Sequence, residues 1–180
     1  MYLNGELKIR QYNQWDSYPT GQFDNICRFF RDKDNVEELA LRLSKTRFAT
    51  EDEWNKVVKF DKTGTCDPED TRLVSQLLTL CNRDYGADIL WQVNCMCNLW
   101  APMVKGDLWY IIPDWNLVFG EDVGQQEGNY RIDITAKVHD WSAEDVHFTL
   151  SGEYHGFARN FDTDHVPSDD EIKAWEAEDD

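Results

Sequence analysis

The chain has 180 residues, 41% of them hydrophobic and 13% aromatic, and it carries a formal net charge of −17. This length suits one hydrophobic core and is short for two, and so many aromatic residues exclude a disordered chain. No run reaches the roughly 18 apolar residues of a membrane-spanning helix, and the polar start does not resemble a signal peptide, so we expect a cytoplasmic protein that contacts no membrane.

The first half of the chain predicts one strand followed by helices. Asn4-Gly5 is a hairpin-turn signal, and residues 6–15 begin with the alternation of a half-buried strand. Four helices follow, each with an apolar stripe, and capping residues mark the starts of three of them. The first helix contains Phe23, Ile26, Cys27 and Phe30, and the others start at Asn35, at Thr50 with Glu53, and at Asp67-Pro68.

From about residue 107 the period changes to that of strands. Residues 108–112 and 115–119 predict two short strands. Residues 131–139 and 146–155 then alternate apolar with polar side chains, which predicts an antiparallel hairpin with one core face and one solvent face.

The order of strand, helices, strands and a last helix contains no βαβ alternation. It predicts an α+β fold in which helices pack on one face of a mainly antiparallel sheet. We expect a single domain over residues 1–180. Its predicted parts are a helix-rich part (22–93), an acidic strand-rich part (107–158) and a C-terminal short helix (168–177) capped by Ser168 with Glu171.

The negative charge is concentrated in the last two-fifths of the chain. Residues 1–109 hold 17 acidic and 14 basic side chains, whereas residues 110–180 hold 18 acidic and four basic ones. A nucleic-acid binder needs cations to neutralise phosphates, so we expect no direct nucleic-acid binding.

The spacing of cysteines and histidines does not predict a metal centre. Cys95 and Cys97 form a Cys-x-Cys pair without a second pair at zinc spacing, and the five cysteines are expected to be reduced. If the hairpin pairs about residue 143, His139 faces His147 on the solvent side. Carboxylates near these imidazoles leave a divalent-metal site as an alternative, but a solvated turn is favoured, and no metal or cofactor is expected.

No nucleophile or phosphate-binding motif occurs, so no catalytic residue is assigned and a non-enzymatic role is favoured. The loop containing Asp16 and Tyr18 is the best alternative site, although turn chemistry also explains it. A cluster of tryptophans is expected to be mostly core, with one or two exposed for a protein contact. Its members are Trp91, Trp100, Trp109 and Trp115, with Tyr110 beside them.

Residues 11–22, QYNQWDSYPTGQ, resemble the motif QYGQWDGYPxGQG of a family of uncharacterised proteins from bacteriophages and gut-bacterial mobile elements. The stretch RDYGADIL (83–90) and the aromatic segments at 109–112 and 117–119 are similar to that family as well. Three of the motif's glycines are replaced, by Asn13, Ser17 and Phe23. The resemblance implies a phage or mobile-element origin and brings no assigned reaction.

Together these features predict an acidic anti-defence inhibitor, similar in role to an anti-CRISPR protein, acting in the host-cell cytoplasm. A rigid carboxylate-rich surface can stand in for phosphates and occupy a basic nucleic-acid groove of a host effector. The predicted partner-binding residues are Asp133, Glu144, Asp145, Glu153, Asp162 and Asp164.

Three alternatives stay open. The charge can simply keep the protein soluble. The chain can be a small hydrolase or nucleotide-processing enzyme that uses the loop Trp15 to Tyr18, or an accessory phage component that forms a defined homo-oligomer. The sequence leaves the oligomeric state undetermined.

Overall fold

The computed structural model describes residues 1–11, 17–81, 85–100, 110–114 and 128–179. The helices of this part are α1 (Asp24–Phe30), α2 (Lys33–Ser44), α3 (Glu51–Thr63), α4 (Thr71–Leu80), α5 (Ile89–Trp100) and α6 (Asp169–Glu176). The strands are β1 (Tyr2–Leu3), β2 (Glu6–Leu7), β3 (Thr46–Phe48), β4 (Tyr110–Ile112), β5 (Gly128–Val138), β6 (Ala143–Tyr154) and β7 (Phe157–Asp162). The predicted strand at 115–119 lies outside the described residues.

Five strands form one sheet in the order β2-β1-β5-β6-β7, in which only the β1–β5 pair is parallel. Strands β3 and β4 form a separate parallel pair. The predicted hairpin is the centre of the large sheet, as β5 and β6. The α+β fold class, with a mainly antiparallel sheet, is confirmed.

The main core lies between the large sheet and the helices. Alternate residues of β5 and β6 point inward, and α2 packs across both strands. The predicted stripes of α1 and α2 are buried there, and Cys27 of α1 is fully buried. Burial raises the pKa of the Cys27 thiol to about 12. The helices therefore cover one face of the sheet, as predicted.

Local capping signals located two helix starts correctly and two only approximately. The capping boxes of Thr50 with Glu53 and of Ser168 with Glu171 are both formed. Helix α2 starts at Lys33 rather than Asn35, because the Asp32 side chain accepts a hydrogen bond from the Asp34 N–H and serves as the cap. Asp67 precedes a short 3-10 turn that begins at Pro68 (Pro68–Asp70), and α4 begins only at Thr71.

The predicted strand over residues 6–15 is wrong for residues 8–11, and residues 12–15 lie outside the described residues. The turn at Asn4-Gly5 is confirmed, with φ angles of 50° and 81°. After Leu7, however, Lys8 and Ile9 are both buried, so the alternation stops. Their N–H groups both donate to the Met1 carbonyl, at 3.0 and 3.3 Å, and this closes the segment on itself.

Strands β3 and β7 have no counterpart in the sequence analysis. The three residues of β3 follow α2 directly and pair with β4, from which more than 60 residues of sequence separate them. Strand β7 follows β6 through a tight turn at His155-Gly156, whose φ angles are 47° and 87°. The segment after the predicted hairpin thus returns to the sheet as its edge strand.

Candidate protein-binding surface

The face of the large sheet opposite the helices, here called the outer face, carries the polar halves of β5, β6 and β7. Opposed residues of antiparallel strands point to the same side, so Asp133, Thr149 and Asp162 form one row across the three strands. With neighbouring strands about 4.8 Å apart, the backbone positions of Asp133 and Asp162 lie about 10 Å from each other. Glu153, four residues along β6 from Thr149, lies on the same face.

A β-bulge places two more carboxylates at the end of the hairpin. Between the pairs Thr135–His147 and Lys137–Glu144, β5 contributes one residue and β6 contributes two. One of the two is Asp145, with a φ of 50°. The bulge brings Glu144 opposite Lys137 on the outer face, and the Asp145 carboxylate reaches the Lys137 ammonium at 2.5 Å.

The predicted pairing of His139 with His147 is wrong. His147 lies opposite Thr135, and the His139 N–H donates to the Ser142 carbonyl at 2.8 Å. The reason is that the hairpin turns at residues 140–141 rather than 143, which places His139 across from Ser142, and the bulge adds an offset of one residue only beyond Lys137. The His139 imidazole instead lies 3.8 Å from the Glu144 carboxylate.

Two of the predicted binding residues are compensated by cations on the same face. Arg131 donates two hydrogen bonds to Asp133, at 2.6 and 2.8 Å, while its guanidinium lies over the Tyr2 ring. Lys137 forms the ion pair with Asp145, and this pair lowers the pKa of the Asp145 carboxyl. Asp133 and Asp145 therefore contribute little net field to the outer face.

The other predicted residues form a less compensated group. Within the described residues, Glu153 and Asp164 have no ion-pair partner, and both are exposed. Asp162 accepts hydrogen bonds from the N–H groups of Asp164 and His165. Its neighbour Asp164 lies in the turn after β7, next to the outer face. The negative potential is thus concentrated along β6, β7 and the hairpin end.

Trp141 was missed by the sequence analysis. It lies at the tip of the β5–β6 hairpin and is 91% exposed, the most exposed of the large hydrophobic side chains in the described part. The signal was present in the sequence, since Asp140-Trp141 lies where two alternating segments join and where Asn, Asp or Gly is usual.

The described part of the 11–22 motif ties elements of the fold together. The Ser17 carbonyl accepts a hydrogen bond from the Tyr130 hydroxyl at 2.5 Å, and the Thr20 N–H donates to Glu176 of α6 at 2.7 Å. The Gln22 side chain accepts from the Ala87 N–H at 2.6 Å, so this motif contacts the 83–90 stretch. Residues 12–16, which include the alternative catalytic candidates Trp15 and Asp16, lie outside the described residues.

A cleft of about 300 Å³ lies beside α1, α2 and the end of β6. Its walls are apolar except for Arg31 and Lys33 at the rim and Thr163, whose hydroxyl accepts from the Phe148 N–H. Arg31 already donates to Asp169 and to the Pro167 carbonyl. The cleft lining therefore offers no acid–base pair for catalysis.

Thiols and metal ligands add no second site in the described part of the chain. Cys27 and Cys66 are free thiols, and no group of three or more His, Cys, Asp or Glu could hold a metal there. The side chains of Cys95, Cys97 and Trp100 lie outside the description, as do Trp109 and Trp115. Trp91 packs edge-on against Phe29 and is 41% exposed.

None of the helices that the structure describes is long and apolar enough to cross a membrane. Comparison of the chain with protein-family models, with curated proteins and with solved structures finds no match.

Proposed function

We propose that this protein is an acidic protein-binding inhibitor from a phage or mobile element, with an anti-defence role like that of an anti-CRISPR protein. Its outer face covers a basic nucleic-acid-binding surface of a host effector and so prevents the effector from binding its nucleic acid. The partner residues are the lysines and arginines that otherwise contact phosphates.

The observation that carries this proposal is the common placement of the predicted carboxylates. Asp133, Glu144, Asp145, Glu153 and Asp162 lie on the outer face, and Asp164 lies in the adjoining turn. They come from strands of 11, 12 and six residues in one sheet. A preformed surface of this kind binds without the entropy cost of ordering a flexible segment.

Two cations on the outer face determine which of the carboxylates are left to attract the partner. Arg131 and Lys137 compensate Asp133 and Asp145, which leaves Glu144, Glu153, Asp162 and Asp164 as the carboxylates that attract a basic partner. Exposed charges of this type act mainly on the rate of association and on partner choice, and salt screens them. Binding is therefore expected to weaken as the salt concentration rises.

The test is affinity capture from a bacterial lysate at low and high salt, followed by identification of the bound proteins. The variant combines Glu144→Lys, Glu153→Lys and Asp164→Lys. We expect it to bind the captured nucleic-acid-binding effector about tenfold more weakly or worse, because like charges then face each other. The nucleic acid that the effector normally binds should displace the wild-type protein from the effector.

The matched control combines Asp52→Lys, Asp61→Lys and Glu69→Lys. These carboxylates are also exposed and belong to α3 and the turn before α4, away from the outer face, so the net charge changes equally. Thermal melting checks that both variants fold. If both variants lose binding to the same degree, or neither does, the outer face is not the inhibitory surface.

A further inference from the structure

The exposed tryptophan at the hairpin tip has no structural explanation within the described chain. The turn is closed by the hydrogen bond from His139 to Ser142, with Asp140 and Trp141 at its centre. Burying a large apolar side chain stabilises a folded protein, and Trp141 forgoes this gain at 91% exposure. Turn chemistry does not require tryptophan either, since short hairpin loops favour Asn, Asp and Gly.

The charges around the tip indicate what the indole contacts. Lys137 is the one permanent cation among residues 137–147, against the carboxylates of Asp140, Glu144 and Asp145. Because Lys137 pairs with Asp145, the uncompensated carboxylates are Asp140, which adjoins Trp141, and Glu144, which lies near the His139 imidazole. An aromatic ring next to such carboxylates attracts a cationic side chain.

We propose that Trp141 anchors an arginine of the partner protein, with the guanidinium stacked on the indole and hydrogen-bonded to Asp140 or Glu144. Arginine suits this position better than lysine, because its planar group stacks on aromatic faces and forms paired hydrogen bonds with carboxylates. Tryptophan is also the aromatic residue that cations prefer, and it is enriched in interface hot spots. The inference rests on the proposed function, since the basic partner supplies the arginine.

The test uses the full chain labelled with fluorotryptophan and observed by fluorine NMR, with Trp141→Phe assigning the Trp141 resonance. Capped oligo-arginine and oligo-lysine peptides of equal length serve as probes. We expect the Trp141 resonance to shift with oligo-arginine and to do so at lower concentration than with oligo-lysine. Trp141→Ala should weaken oligo-arginine binding by about two- to fivefold, the range of an exposed cation–π contact.

A second variant separates stacking from charge. Asp140→Asn with Glu144→Gln keeps the indole and should reduce the Trp141 shift, whereas Asp61→Asn with Glu69→Gln should leave it unchanged. Equal responses to both peptides, or an unchanged resonance while calorimetry records peptide binding, overturn the arginine anchor.

Other occupants of the tip give different results. A Trp141 resonance that shifts when the protein alone is concentrated indicates a second copy of the chain and overturns the inference. Failure of oligo-arginine to bind also overturns it. The capture experiment with the wild-type protein decides the proposed function separately, because it depends on recovery of a nucleic-acid-binding effector and not on the Trp141 resonance.

Discussion

Gly152 of β6 shows how a single residue determines the packing of a whole helix. A Cβ atom at this position would lie 2.5 Å from the Trp175 ring and 3.0 Å from the Tyr130 ring. The Trp175 indole of α6 is nearly fully buried and makes an edge-on contact with Phe23. The missing side chain is therefore what allows α6 to lie against the sheet.

We predict that Gly152→Ala lowers the free energy of unfolding by about 1–3 kcal/mol, because the rings around it have to move in a filled core. Urea unfolding measures the change. The control is Ser151→Ala, whose side chain lies on the outer face and whose effect should stay within about 0.5 kcal/mol. Equal stability of the two variants would mean that the aromatic cluster repacks without cost.

At the scale of elements, the start of α3 depends on a charged cap. The Glu53 carboxylate accepts two hydrogen bonds from Arg47, each 2.8 Å long, and one from the Thr50 N–H at 2.9 Å. The hydrogen bonds from the Arg47 guanidinium, together with those from Thr50, lower the pKa of the Glu53 carboxyl from 4.5 to about 2. A carboxyl with a lowered pKa stabilises the folded state above its unfolded pKa, and this contribution disappears as the pH falls through the folded pKa.

Glu53→Gln should therefore be less stable than the wild type at neutral pH, and the difference should shrink as the pH falls from 4.5 to about 2. Glutamine keeps the capping geometry, so the comparison isolates the charge. Denaturant unfolding at a series of pH values gives the difference. Glu51→Gln, in the same first turn, is the control, and its stability is expected to change less. A stability difference between Glu53→Gln and the wild type that does not depend on pH would contradict the charged-cap explanation.

The sequence predicts an element well when the contacts that form it join residues close together in the chain. The caps of Thr50 and Ser168 and the turn at Asn4-Gly5 rest on contacts within a few residues, so their signals are complete in the sequence. The bulge at Asp145 rests on the pairing of two strands, and so does the position of the turn at residues 140–141, which places His139 across from Ser142 rather than His147. Register errors of this kind follow from the two-residue period of strands.

The whole molecule carries much more negative than positive charge, most of it in the C-terminal part. Self-repulsion between like charges destabilises a compact state, and salt screens charges separated by more than about 10 Å at 0.1 M ionic strength. Close ion pairs, such as that of Arg131 with Asp133, leave many carboxylates uncompensated, because the chain has 35 acidic side chains and only 18 lysines and arginines.

We predict that the melting temperature rises as salt is added at neutral pH. The triple variant with lysine at positions 144, 153 and 164 should show a smaller rise, since its net charge is less negative. Calorimetric or fluorescence melts over a series of sodium chloride concentrations test both expectations. A melting temperature that falls with salt would show instead that the ion pairs outweigh the general repulsion.

The fold class was predictable at this scale because the hydrophobic period changes once along the chain, from helical to alternating. The candidate surface was predictable in part, since alternation alone assigns Asp133 and Glu153 to the solvent side. The compensation of Asp133 by Arg131 depends on side-chain conformation. The parallel pairing of β1 with β5 joins residues about 130 positions apart, and no local pattern encodes such a contact.

The burial of Cys27 supplies a natural reporter of native-state fluctuations. Alkylating reagents attack the thiolate, and this thiol is both inaccessible and held protonated at neutral pH. Its labelling has to wait for α1 to separate from the elements that pack against it, such as α2 and α5. Peptide mapping by mass spectrometry after timed alkylation would therefore give the frequency of that opening, and the same measurement with a bound partner would reveal whether binding at the outer face rigidifies the helical layer behind it.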